Sequence, residues 1–289
     1  LGPSVSQKRD SIILKLIALL SSVRWKSILL VILAQYIAFL FAFNTKEEIW
    51  NSLGEFKVHL IILSTALILA GGYIINNFYD IEKDMVNRPH QTRFQNLVSR
   101  GFKLRLYLLL NFLGLAIALY ASVNIFLFFL MYSVLLWYYS HKLNKLVLIR
   151  ELTASFLTVM AFFSLVLYYK MVTVDLFLYG ASLFLVLFGR ELYKDINGVK
   201  GDVVYGYGSI TTSIGIVASQ RIFQVIILFS LLVDSVFLWL NGKIEFVYIL
   251  GFIVLLKLAL LLLIDRNIKP MNWVIKLTIF IYVLGVAWL

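Results

Sequence analysis

The chain is a succession of apolar runs, most of them long enough to cross a lipid bilayer, separated by short polar connections. A helix needs roughly 17–25 mainly apolar residues to span the hydrocarbon core. Nine segments meet or approach that length: Ser27–Phe43, Val58–Asn77, Leu104–Ala121, Asn124–Tyr139, Leu152–Tyr169, Val174–Glu191, Ile222–Leu240, Phe246–Leu263 and Trp273–Leu289. Of the 289 residues 62% are hydrophobic, which excludes two soluble domains and favours spans sharing one helical core. The expected fold is an all-α membrane protein, a bundle of nine transmembrane helices with a polar cap on the cytoplasmic side.

Residues 1–26 read as an N-terminal amphipathic, cytoplasmic lead-in, with Leu1–Ser4 an expression scar, and residues 27–289 as the transmembrane domain. Orientation follows from lysine and arginine in short loops, which favour the cytoplasmic side. Lys8, Arg9, Lys15, Arg24 and Lys26 precede the first span, and Lys83, Arg88, Arg93, Arg100, Lys103 and Arg105 follow the second. Lys142, Lys145, Arg150, Arg190, Lys194, Lys200, Arg221, Arg266 and Lys269 fall on the same side, against Lys46, Lys57, Lys170 and Lys243 on the other. The N-terminus and the loops after spans two, four, six and eight are therefore expected in the cytoplasm, and the C-terminus outside. Trp25, Trp50, Trp137, Trp239, Trp273 and Trp288 lie near span ends, as interfacial anchors do. The net charge of +11 is spread over these loops, a topology signal that gives no reason to expect nucleic acid. With no cysteine, disulfides and thiolate metal sites are excluded.

Two polar stretches stand out, each at the cytoplasmic end of a span and four spans apart. In the first, Asn76, Asp80 and Asp84 recur at intervals of four, which stacks them on one helix face about 5–6 Å apart. Three oxygen-bearing side chains so placed suit a hard divalent cation, and Mg²⁺ typically binds through one or two carboxylates plus substrate phosphates. In the second, Glu191 and Asp195 are again four apart, and Asp202 follows a Gly-bearing segment. Two acidic faces across a cavity can hold metals that bridge one diphosphate and neutralise the charge it acquires on leaving. Arg88, Arg190, Lys194, Lys142 and Lys145 are the candidate diphosphate-binding cations, arginine through forked hydrogen bonds and lysine as a point charge. Paired acids at a helix end are common on solvated surfaces, but two such clusters on one side of a membrane favour a shared site.

At these residues the chain resembles the UbiA superfamily of intramembrane prenyltransferases. Asn76, Asp80 and Asp84 match its NxxxDxxxD motif, followed by Asn87, Arg88 and Pro89; Arg190–Leu192, Lys194–Ile196 and Gly201–Asp202 match the second motif. Tyr138–Leu143 resembles the tyrosine- and lysine-bearing end of the family's fourth span. The resemblance implies an enzyme that binds a polyprenyl diphosphate through Mg²⁺, ionises it to an allylic cation, and passes the prenyl group to a hydrophobic acceptor. Asn76, Asp80, Asp84, Glu191, Asp195 and Asp202 would be metal or diphosphate groups, with the four aspartates catalytic. The pattern leans toward members that alkylate lipid alcohols such as geranylgeranylglyceryl phosphate. Terpene cyclisation, prenylation of an aromatic quinone precursor and non-catalytic lipid binding are the alternatives. Gly198 stands where the family usually has an acid, Thr211 where it has a proline, and Asn77 where it often has an aspartate.

Other polar residues read as structural. Asp234 and Lys257 lie inside spans and are expected to be satisfied within the bundle or to snorkel. Gln35, Asn111 and Asn124 are expected to hydrogen-bond between helices. His59, His90 and His141 share no metal-ligand spacing. Among 23 Phe and 16 Tyr, Tyr138, Tyr139 and Tyr193 neighbour the charged motifs and are nominated for the prenyl and acceptor pocket, where an aromatic face can shield a cation.

Overall fold

In a bilayer every backbone polar group must be satisfied within the protein, which leaves an apolar segment little choice but the helix. The computed structural model describes residues 5–43, 53–241, 244–264 and 270–289, with side chains from residue 12 onward and not for residues 244–246. Leu1–Ser4, Lys46, Trp50, Lys243, Arg266 and Lys269 lie outside the described residues, as do the side chains of Lys8, Arg9 and Phe246.

The helices are α1 (Val5–Val23), α2 (Trp25–Ile37, continued as a π-helix over Ala38–Ala42), α3 (Phe56–Tyr79), α4 (Ile81–Asn87), α5 (Pro89–Gln95), α6 (Arg100–Ala121), α7 (Val123–His141), α8 (Ile149–Tyr169), α9 (Val174–Val204), α10 (Ile210–Ile214), α11 (Ile216–Asn241), α12 (Ile244–Leu263) and α13 (Pro270–Gly285). Among the described residues eight helices are long and apolar enough to cross a membrane, and α12 is a further apolar helix with seventeen described side chains, Val247–Leu263. Each of the nine expected spans coincides with one of these. The main departure is α9, expected to stop at Glu191 but helical to Val204. Its 31 residues measure about 46 Å at 1.5 Å per residue, well beyond a hydrocarbon core of about 30 Å. It is thus longer than a span needs, and its last turns carry the second acidic motif.

The bundle has two apolar cores. One is built on α3, α6, α7 and α8 around Ile61, Ile68, Phe129 and Leu165; the other on α9, α11, α12 and α13 around Leu192, Phe223, Ile253 and Tyr282. Helix α2 joins them, with Ala38 in the second core and Phe39 in the first. Outward faces carry Leu108, Phe112, Leu228 and Leu262, as lipid-facing helices require. Trp25, Trp137, Trp239, Trp273 and Trp288 are all exposed. Helix α1 buries Ala18 and Ser22 and exposes Ile12, Ile13, Leu16, Ile17 and Leu20, an apolar stripe suited to the membrane interface.

Gln35, Asn111, Lys257 and Asp234 find partners. Gln35 donates to the hydroxyls of Thr65 and Ser164 and to the carbonyl of Ala161, joining α2, α3 and α8. Asn111 instead donates to Tyr107 of its own helix, and Asn124 is exposed at the start of α7. Lys257 and Asp234 form an ion pair with each other, both fully buried, so neither snorkels. Lys257 also donates to Ser182 of α9 and Tyr282 of α13, which knits four helices together.

Breaking such a pair strands a buried charge, whereas removing both charges need not. Lys257→Met alone is expected to destabilise the solubilised protein by about 3–5 kcal/mol, and Lys257→Met with Asp234→Leu to recover most of that loss. Unfolding midpoints of the two variants check this, and additive losses would contradict it.

Candidate functional site

The first motif sits where α3 gives way to α4. Asp80 leaves helical geometry, at φ −91° and ψ 5°, yet the i→i−4 ladder runs through it: Asp80 N–H donates to Asn76 O at 3.0 Å and Asp84 N–H to Asp80 O at 2.8 Å. Asn76, Asp80 and Asp84 therefore stay on one side despite the break. Helix α4 ends at Arg88 because Pro89 disfavours helical backbone in the residue before it.

The second motif approaches through a close backbone contact. Asn87 of α4 accepts a hydrogen bond from Gly201 N–H of α9 at 3.0 Å. A Cβ at Gly201 would fall 2.4 Å from Asn87 Nδ2, so a larger residue here would displace the Asn87 side chain from this contact. Continuous helix through the Gly-bearing segment places Glu191, Asp195 and Asp202 four and eleven residues apart, close to whole turns.

Between the motifs lies a polar cavity of about 260 Å³. Of the expected residues it brings together Asn76, Asp80, Asp84, Arg88, Tyr139, Lys194 and Asp195, with Gly198 in the wall. Sequence reasoning missed Arg24, Lys83, Asn144, Arg150 and Asn272 as lining groups. Arg24 occupies left-handed backbone, φ 53° and ψ 47°, uncommon for a residue with a side chain; it separates α1 from α2 and lays its guanidinium 5.4 Å from the Tyr73 ring centre.

Arg150 organises the second motif. From the first turn of α8 it donates through separate nitrogens to Asp195 Oδ1 and, at 3.1 Å, to Asp202 Oδ2. Lys83 Nζ lies 2.7 Å from Asp202 Oδ1, a charge contact outside hydrogen-bonding alignment. Asp202 is thus fully buried beneath two cations and does not line the cavity. Glu191 is paired with Lys194 and Arg190 and lines an adjoining cavity of about 100 Å³. Lys142 is exposed, and Lys145 lies over the Tyr207 ring at 5.6 Å, outside the polar cavity. Tyr138 is 38% exposed and Tyr193 is buried in the second core, leaving Tyr139 as the nominated tyrosine that lines both cavities. Asn77 donates to Gln95 and accepts from Lys103, a structural connection between α3, α5 and α6. His59 bonds Tyr36 and the Leu53 carbonyl, and His141 stacks on Trp137.

The oxygen-rich lining fits a hard cation. Asp80 receives one amide N–H from Asn76 and one from Asn144, both at 3.0 Å. Burial raises its carboxyl above the ordinary range, opposed by Lys83 and reinforced by Asp84. Across the cavity Asp195 Oδ2 is buried without a donor, and so is Oε2 of Glu151, which faces it. Acceptor-only oxygens buried together call for a proton or a cation. Among the described residues no three acidic or histidine side chains converge at metal-ligand range, so a cation here needs ligand oxygens to complete its shell, as magnesium with phosphates does.

Residues 31–284 match the UbiA prenyltransferase family. The chain is 32% identical over 198 residues to the digeranylgeranylglyceryl phosphate synthase of Hyperthermus butylicus, covering 65% of each chain and thus just under two thirds of that relative's length. It is 25% identical over 213 residues to the digeranylgeranylglyceryl phosphate synthase of Sulfurisphaera tokodaii, covering 73% of this chain and 76% of that one. A solved UbiA homologue from Archaeoglobus fulgidus, bound to GPP and Mg²⁺, shares the fold at a TM-score of 0.70 and 16% identity, over 94% of this chain and 100% of that one.

Two outcomes follow from the charge arrangement. Arg150→Met should lower the melting temperature in chelator and enlarge the rise produced by a divalent cation, because Asp195 loses its counter-charge. Protons should compete with the cation for Asp80 at a pH above the ordinary carboxylate value of 3.8; the cation-induced melting shift should shrink as pH falls through that region, and Asp80→Asn should abolish this pH dependence.

Proposed function

The chain belongs to the UbiA prenyltransferase family, and we propose that it transfers the prenyl group of a polyprenyl diphosphate, such as geranylgeranyl diphosphate, to a hydrophobic acceptor of the geranylgeranylglyceryl phosphate type. The observation that carries this reading is the cavity itself: acids from two motifs face each other across a space that Arg24, Lys83, Arg88, Arg150 and Lys194 also line. Such a site suits a ligand that is both highly anionic and metal-binding. The two synthases reported above support the choice of acceptor.

In this reading Asn76, Asp80, Asp84 and Asp195 would hold Mg²⁺, which supplies charge neutralisation on the leaving diphosphate. Arg24, Arg88 and Lys194 hold the diphosphate oxygens directly. The bond between the allylic carbon and oxygen breaks with its electron pair on the diphosphate, and the carbocation left behind lies against Tyr139. The acceptor hydroxyl then forms the new carbon–oxygen bond, and its proton passes to the released diphosphate. Asp202 acts by holding Arg150 and Lys83, and Glu191 by holding Lys194. The N-terminus and both motif loops lie on the cytoplasmic side, on the loop-charge bias, with the C-terminus outside.

Purified protein incubated with geranylgeranyl diphosphate and Mg²⁺, with and without archaeal-type lipid acceptor, tests this through pyrophosphate release and product mass. Asp80→Ala and Asp195→Ala should each lower release by at least about 10²-fold. Gly198→Asp should be tolerated, since a Cβ there stands 3.4 Å from Asn87 Nδ2, and should tighten the Mg²⁺ requirement by adding a carboxylate to the wall. Absence of release with any prenyl chain length would contradict transfer, and a cyclic product made without acceptor would replace it with cyclisation.

A further inference from the structure

Glycine within a helix costs about 0.5–1 kcal/mol relative to alanine, so a mid-helix glycine needs a reason. In membrane bundles the usual one is close helix approach. That holds for Gly72, Gly114, Gly189 and Gly285, where an added Cβ would meet a neighbouring side chain at 2.9, 2.8, 3.2 and 2.0 Å. Gly180 of α9 differs. Its backbone is ordinary helix, and a Cβ there would meet nothing within 4 Å. Gly101 and Gly251 are equally unobstructed but lie exposed, whereas Gly180 is half-buried and forms part of the wall of an apolar cavity of about 100 Å³.

That cavity lies beside one that adjoins the site described above. The adjoining cavity shares Asn76, Tyr139 and Lys194 with the polar one, and shares Val31 and Thr158 with the apolar one. The three cavities thus lie in series between the motifs and Gly180. Gly180 lies fifteen residues before Asp195 on the same helix, about 22 Å at 1.5 Å per residue. An extended chain covers roughly 1.2 Å per backbone bond, so about 18 bonds fit. A geranylgeranyl chain fills that distance, and a geranyl chain falls far short.

We propose that Gly180 determines the prenyl chain length this protein accepts: its missing side chain leaves the far end of the cavity series open to the last isoprene unit of a long donor. The inference rests on the prenyl diphosphate reading and adds a specificity-determining position that touches neither the diphosphate nor the metal-binding groups.

The test compares geranylgeranyl and geranyl diphosphate as donors, following Mg²⁺-dependent pyrophosphate release by the purified full chain. Gly180→Phe should lower the ratio of geranylgeranyl to geranyl turnover by more than about tenfold, with geranyl turnover unchanged, while Gly180→Ala keeps the wild-type ratio. Ala34→Phe fills the same cavity from α2 and should reproduce the shift, which decides the matter if the Gly180→Phe protein does not fold. An unchanged ratio in the folded variants, or equal loss with both donors, would overturn the proposal while leaving transfer intact. Wild-type protein that ionises neither donor would instead overturn the prenyl diphosphate reading and this inference with it.

Discussion

Carboxylates gathered at the edge of a low-dielectric bundle repel one another unless cations stand between them. The seam between the two motifs depends on how this is met. Arg150 reaches from α8 to both Asp195 and Asp202, and Lys83 approaches Asp202 from α4. Three segments distant in sequence are thereby held by one set of charges. The acids divide into two groups as a result: Asp202 and Glu191 are neutralised by neighbouring cations, while Asp80 and Asp84 line the cavity and one oxygen of Asp195 in its wall is left without a donor.

Helix α9 carries this arrangement into the membrane. Near its C-terminal end Asn87 receives the Gly201 amide; deeper in, Ser182 accepts from Lys257 and bonds Asp234. Ser182 and Asp195 are thirteen residues apart on one helix, about 20 Å, so the helix is fixed in rotation at two well-separated levels. A buried ion pair is a poor source of net stability but a strong constraint on register, which is what a helix presenting acids at fixed angles requires.

Length and apolarity made the spans legible in sequence, because the bilayer leaves an apolar segment few alternatives to a helix. The four-residue spacing of Asn76, Asp80 and Asp84 likewise survives the kink at Asp80, since the backbone ladder persists through it. Charges near span ends were harder to place. Arg150 reads as one more topogenic residue, and its partners lie 45 and 52 residues away; only tertiary closure brings them together. Lys142 and Lys145 follow a tyrosine-rich span end that suggests the site, yet the turn after α7 directs them outward or onto Tyr207. Lys257 and Asp234 read equally as satisfied within the bundle or snorkelling, and nothing in their spacing of 23 residues identifies one as the other's partner.

The central claim is that both motifs hold one ligand. A double-mutant cycle with Asp84→Asn and Asp195→Asn, read as the affinity of a non-ionising prenyl thiodiphosphate analogue in saturating Mg²⁺, tests it most directly. A shared ligand predicts non-additive losses, with a coupling energy of at least about 0.5 kcal/mol. Strictly additive losses, or loss of binding in one variant and none in the other, would mean that the two acidic faces serve separate ends.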